Sequence, residues 1–190
     1  MIYVTADLHF QHEKILEYQS NRKFSDIYHM DGWIIHEWNQ IATDKDIIYI
    51  LGDISFRGDP KITANYLSRL NGHINIIPGN HDYNISKVLD IYKGARVLKK
   101  HYKDPFTILS ALTKIKYKKY NFIMCHYPLE SWEGQIRSFE KKVNQKQSSI
   151  HLHGHQHGRN NTKAFRMDIG LDATNNVLIS LDEILTTLCI

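Results

Sequence analysis

Apolar positions in the first half of the chain follow two spacings in turn. Ile2–Ala6 is a short, β-rich apolar run that ends on polar residues. From Ile27 to Ile41, residues Met30, Ile34, Trp38 and Ile41 recur at helical spacing and share one face, so a helix is predicted there. Asp46–Leu51 reads as a second buried strand closed by Gly52, and His73–Pro78 as a third, ended by Pro78-Gly79. Asp59-Pro60 opens a helix reaching about Leu70, with proline in the first turn, where its missing N–H costs nothing. Ile85–Tyr92 reads as a short helix. Strand–helix alternation of this kind marks βαβ units, whose functional groups gather at the C-terminal ends of strands.

The second half is patterned differently. Val97–His101, Phe106–Lys116, Asn121–Cys125, Ile150–His153, Phe165–Ile169 and Val177–Ile179 read as strands with little helix between them. Ser180 and Glu183 form the sequence signature of a capping box, opening a last helix over Leu181–Leu188. No repeat, low-complexity tract or linker interrupts the chain, so residues 1–190 read as a single domain. An α/β fold in four layers, αββα, accommodates this order: two mixed β-sheets face to face, flanked by helices.

Composition narrows the picture. With 42% hydrophobic and 23% charged residues, the chain is neither disordered, collagen-like nor coiled-coil. Cys125 and Cys189 are too few and too far apart in character for a disulfide framework, and free thiols suit a reducing compartment. The start MIYVTADLHF lacks a basic segment and is broken by Asp7, so no signal peptide or membrane anchor is read. The expectation is a cytoplasmic protein without a membrane partner; no oligomeric state is read from the sequence. Twelve histidines against two cysteines point away from thiolate zinc modules and towards nitrogen and oxygen ligands. Charge is uneven: residues 1–60 hold ten acids and five Lys/Arg, residues 91–120 one acid and nine Lys/Arg, and residues 137–166 one acid and seven Lys/Arg. Cation ligands beside anion-attracting segments are one consequence; solvated lysines on exposed strands are the other.

Five segments follow predicted strands: Asp7-Leu-His9, Gly52-Asp53, Gly79-Asn-His-Asp82, His126 and Gly154-His-Gln-His157. A D-x-H or a lone G-D is weak. The tetrapeptide Gly-Asn-His-Asp arises by chance in roughly one chain in a thousand of this length. All five in this order, each at a strand end, leave little room for coincidence.

The set resembles the calcineurin-like metallophosphoesterase superfamily, whose pattern is D-x-H, G-D, G-N-H-[DE], H and G-H-x-H. The match spans residues 7 to 157. With His126-Tyr-Pro128, Trp132 and Asp172-Ala, the wording is similar to the small, cap-less bacterial and phage members. The resemblance implies two divalent transition-metal ions, manganese first, with iron, zinc or nickel as alternatives. It assigns Asp7, His9, Asp53 and His157 to one ion, and Asp53, Asn80, His126 and His155 to the other, with Asp53 as the bridge. It also implies in-line attack by a metal-bridging hydroxide, with Asn80 and His81 holding the phosphoryl group. His81 faces substrate in the family pattern, as oxyanion stabiliser or general acid, and Asp82 is expected to orient it.

Around this set, His12, Arg57, Tyr127 and Arg159 (with Asn160) are candidate substrate contacts, each weighed against an ordinary surface or helix-start role. His151 and His153 read as structural. Trp132 is expected to anchor segment 130–149, a candidate flap. The predicted function is a binuclear metal-dependent phosphoesterase acting on a phosphomonoester or phosphodiester. A short chain leaves an open site, which favours a small phosphorylated substrate: a nucleotide, a cyclic nucleotide or an RNA/DNA end. The alternative is a non-catalytic metal-binding scaffold on the same fold; every ligand position of the pattern is filled, which weighs against it. A nucleic-acid-binding module built on Lys99–Lys119 is a third reading, without a known binding motif.

Overall fold

A computed structural model describes residues 1–98, 106–135, 149–159 and 165–189. In chain order the elements are β1 (Ile2–Thr5), α1 (Ile15–Tyr18), α2 (Ile27–Ile41), β2 (Ile47–Leu51), α3 (Pro60–Ser68), β3 (His73–Ile77) and α4 (Ile85–Leu98), followed by β4 (Thr107–Ile108), β5 (Leu112–Tyr117), β6 (Tyr120–Cys125), β7 (Ser149–His153) and β8 (Arg166–Asp168), then α5 (Leu171–Thr174), β9 (Ile179–Ser180) and α6 (Leu181–Thr187). They form two mixed sheets of orders β4-β3-β2-β1-β9 and β5-β6-β7-β8. In the first, β1 to β4 are parallel and β9 pairs antiparallel with β1; in the second, only β5 is antiparallel to its neighbour.

The strands are apolar on both faces because both faces of the first sheet are covered. Ile48, Ile50, Ile74 and Ile76 point into a core shared with Met30, Ile34, Trp38, Leu67 and Leu70 of the helical layer. Val4, Leu51 and Ile77 point the other way, into a second core with Phe122, Met124, Ile150 and Leu152 of the second sheet. The two-sheet α/β sandwich is thus the predicted one. Helices flank the sheets as expected: α2 and α3 pack in the first core, and Leu181, Ile184 and Leu185 of α6 in the second. Segment 136–148 lies outside the described residues.

Local signals are met where they were strongest. Asp59 caps α3, with Pro60 in its first turn. Ser180 and Glu183 form a complete capping box on α6. Two expectations are corrected. Ile41 closes α2 exposed (38%), because the buried stripe runs through Ile27, Met30, Asp31, Ile34, Ile35 and Trp38 and turns away at the last residue. The strand predicted at Val97–His101 is helix as far as Leu98, with residues 99–105 outside the described set. The periodic burial of Ile85, Val88 and Tyr92 already commits this segment to a helix, and propagating it costs less than a new strand. Among the described residues, no helix is long and apolar enough to cross a membrane.

Candidate metal centre and cleft

Parallel β1, β2 and β3 deliver their following loops to one end of the sandwich, and pairing continues through those loops. The amides of Asp7, His9 and Phe10 donate to the carbonyls of Gly52, Asp53 and Ile54 at 3.1, 3.0 and 2.8 Å. From the second sheet, the Gly154 amide donates to the His126 carbonyl at 3.0 Å, and the His155 amide donates to the Asp7 carboxylate at 3.0 Å. Two sheets are therefore tied together at the five motifs. The turns are tight: Asp7, His9, Asp53, His155 and His157 all adopt left-handed backbone, with φ between 49° and 72°. Gly52 (φ 83°) has no room for a side chain, since a Cβ would stand 2.5 Å from His126 Nδ1 and 2.6 Å from Gly79 Cα.

Asp82 does not hold the His81 ring, as the sequence reading had it. Its carboxylate accepts from the amides of Asp53 (2.7 Å), Ile54 (3.0 Å) and Gly79 (2.8 Å), so it is a clamp between the loops after β2 and β3. Asp82→Ala would strand three N–H groups in a buried turn. Urea unfolding is expected to show a loss of at least about 1–3 kcal/mol, the cost of one buried unsatisfied group.

Two groups of ligand-type atoms form, each within 4.8 Å: Asp7, His9 and His157, and Asp53, His126 and His155. They meet at Asp53, whose Oδ2 lies 3.4 Å from His126 Nε2 and 3.8 Å from His9 Nε2. Hydrogen bonding sets three of the rings. His126 Nδ1 lies 2.8 Å from the Leu51 carbonyl, His157 Nδ1 2.6 Å from Asp172 Oδ2, and His9 Nδ1 3.2 Å from His12 Nδ1. With Nδ1 donating in the first two, Nε2 is left as a bare lone pair, the ligand tautomer. His126 Nε2 then faces Asn80 Oδ1 at 3.0 Å. His9 Nε2 is buried with no hydrogen-bond partner among the described residues. These donors, nitrogen and oxygen around orphaned lone pairs, fit a pair of divalent ions.

The electrostatics agree. Burial pushes the fully buried Asp7 carboxyl up to about 7, because His157 and His126 offset only part of the desolvation. Asp53 is held at about 2: burial works to raise it, but the His126 hydrogen bond and charge outweigh that. His126 is raised to about 9, against the downward pull of burial, by the same pair. In effect a proton on His126 does what a cation would do.

Arg22 escaped the sequence reading. It is buried, and its Nε and Nη2 each donate to Asp172 at 2.7 Å, while Nη2 and Nη1 donate to the carbonyls of Asp7 (2.6 Å) and Leu8 (3.0 Å). The chain Arg22–Asp172–His157 therefore orients one ligand ring and braces the Asp7 turn. Asp168 was missed too, and ties Gly158 and Gly170 by their amides.

Beside the ligand groups lies a cleft of about 780 Å³. It brings together His9, His81, His155 and His157 with His12, Arg57 and Arg159. His81 is a third exposed; its Nε2 lies 3.8 Å from Asp53 Oδ2, and its amide donates to Asp53 Oδ1 at 3.0 Å. His12 is buried (7% exposed) and stacks on Phe56, with ring centroids 4.1 Å apart. It is not a helix-start residue, since α1 begins three positions on. Tyr127 is not in the cleft lining; it stands edge-on to His126 and His155 at 5.2 and 4.9 Å. Asn160 lies outside the described residues. Trp132 Nε1 donates to Ser149 Oγ at 3.1 Å; of the candidate flap 130–149, residues 136–148 lie outside the described set. His151 is structural, accepting from the Leu129 amide at 2.9 Å.

Comparison with known proteins gives the same family. The chain is 29% identical over 191 residues to an uncharacterized protein of Methanocaldococcus jannaschii, covering 96% of this chain and 88% of that one. It is 26% identical over 194 residues to the gene 66 protein of Mycobacterium phage D29, covering 96% and 93%. In fold it is similar to a protein of unknown function from Aquifex aeolicus, with a TM-score of 0.68, 21% identity and 98% of both chains covered. The profile of the calcineurin-like phosphoesterase superfamily domain matches residues 1–170, nine-tenths of the length, and the chain belongs to that superfamily.

Proposed function

We propose that the chain is a binuclear metal-dependent phosphoester hydrolase, with Asp7, His9, Asp53 and His157 holding one divalent ion and Asp53, Asn80, His126 and His155 the other. The observation that carries this reading is the meeting of two ligand groups at one buried carboxylate, Asp53. Two cations so close need an anion between them, and Asp53 already ionises readily. Carboxylate oxygen with imidazole nitrogen favours manganese, with iron, zinc or nickel as alternatives. When bound, such ions supply Lewis acidity and a water acidified from ~15.7 towards ~7 for in-line attack.

The chain's own residues do the rest. Asn80 and His81 hold the phosphoryl oxygens, and His81 gives a proton to the departing alkoxide. Asp172 and Arg22 keep the His157 ring in its ligand orientation. The open cleft and its basic rim favour a nucleotide, a cyclic nucleotide or a nucleic-acid end, as monoester or diester. Free cysteines fit a cytoplasmic setting. With Mn²⁺, hydrolysis of bis-p-nitrophenyl phosphate or p-nitrophenyl phosphate is expected, and a chelator should abolish it. No turnover with any divalent ion would overturn the reading in favour of a scaffold.

A further inference from the structure

We infer that the cleft contains a second anion subsite, and that the substrate is a nucleotide carrying a phosphate beyond the one that reacts. This deepens the phosphoesterase reading and rests on it. At about 780 Å³ the cleft has the volume of a site for a drug-sized ligand, far more than one phosphoryl group fills. It is lined by the histidine cluster and by Lys14, Arg57 and Arg159. No lining residue among the described ones is Asp or Glu. Three cations thus line one concave space whose acidic neighbours, Asp7 and Asp53, lie behind the histidine wall, an arrangement that focuses positive potential into the cleft.

Aromatic surface completes the wall. Phe56 stacks on His12 and meets His81 edge-on at 4.6 Å, and Tyr18, 58% exposed, stands edge-on to His12 at 6.1 Å. The Arg57 guanidinium carbon lies 5.4 Å from the Phe56 centroid, on a backbone with φ 49°, a conformation disfavoured for any side-chain-bearing residue. The exposed Tyr18 ring offers a face to a planar base, and the arginines offer bidentate donors to a phosphate. A plain monophosphate, held at the histidines, is one dianion for three lining cations. A nucleotide with a second phosphate engages both groups.

The test compares AMP with ADP and with adenosine 3′,5′-bisphosphate, at physiological salt, on the Mn²⁺-loaded chain. Two readouts are used: inhibition of bis-p-nitrophenyl phosphate hydrolysis, and affinity by calorimetry, which needs no turnover. The tighter of the two-phosphate nucleotides is expected to bind about tenfold or more better than AMP, the worth of one charge-assisted contact. In a Lys14→Ala/Arg57→Ala/Arg159→Ala chain, that advantage is expected to fall below about threefold. Equal affinities in the parent chain, or an advantage that survives the triple substitution, would overturn the subsite. Absence of hydrolysis with every divalent ion would instead sink the phosphoesterase reading, and calorimetry would still decide the subsite.

Discussion

Arg22→Met is expected to lower the unfolding free energy of the metal-free chain by about 3–5 kcal/mol, the range for breaking a buried ion pair by removing one partner. Both side chains of the Arg22–Asp172 pair are almost fully buried, 2% and 1% exposed. Removing the guanidinium leaves the buried Asp172 carboxylate with the His157 ring as its remaining side-chain partner, and strips a donor from each of the Asp7 and Leu8 carbonyls. Urea unfolding measures the effect, and a loss under about 1 kcal/mol, typical of solvated pairs, would show the bridge to be marginal. A second substitution separates stability from site geometry. Arg22→Met/Asp172→Leu should recover much of the lost stability, because an apolar pair can replace a buried ion pair at little cost. Metal affinity should not recover with it, since His157 Nδ1 then has no carboxylate to fix its ring.

His81→Ala is expected to bind two ions per chain while losing about 10²- to 10⁴-fold in turnover, the range for deleting a general acid or oxyanion donor. Its ring belongs to neither ligand group, and the tie from residue 81 to Asp53 runs through the amide, which alanine keeps. Metal content by elemental analysis and kcat on bis-p-nitrophenyl phosphate give the two numbers. Unchanged turnover would remove His81 from the chemistry. Loss of metal would make it a ligand instead.

What was legible in the sequence was whatever is local. Each of the five motifs carries its own strand end and ligand-type side chain, and three of them a turn glycine, so reading the strands also placed Asp7, Asp53, Asn80, His126 and His155. Capping at Asp59 and Ser180 was equally local. What was hidden depends on distant partners. Arg22 sits in a polar run, and its meaning lies 150 residues away at Asp172. Asp82 was next to His81 in sequence, which suggested a partnership, but the turn aims its carboxylate at the backbone of the Asp53 loop. The end of α4 was misread because the β-forming side chain of Val97 says nothing about the helix already running into it.

The left-handed turns also bear on how this site would fare under selection. Asp7, His9, Asp53, His155 and His157 each hold a conformation that costs a residue with a Cβ roughly 1–2 kcal/mol and costs glycine almost nothing. Glycine at any of them would relax the fold while deleting a side chain the chemistry needs. A directed-evolution campaign scored only on thermal tolerance should therefore accumulate replacements at these five positions first, and its most robust survivors would be inert.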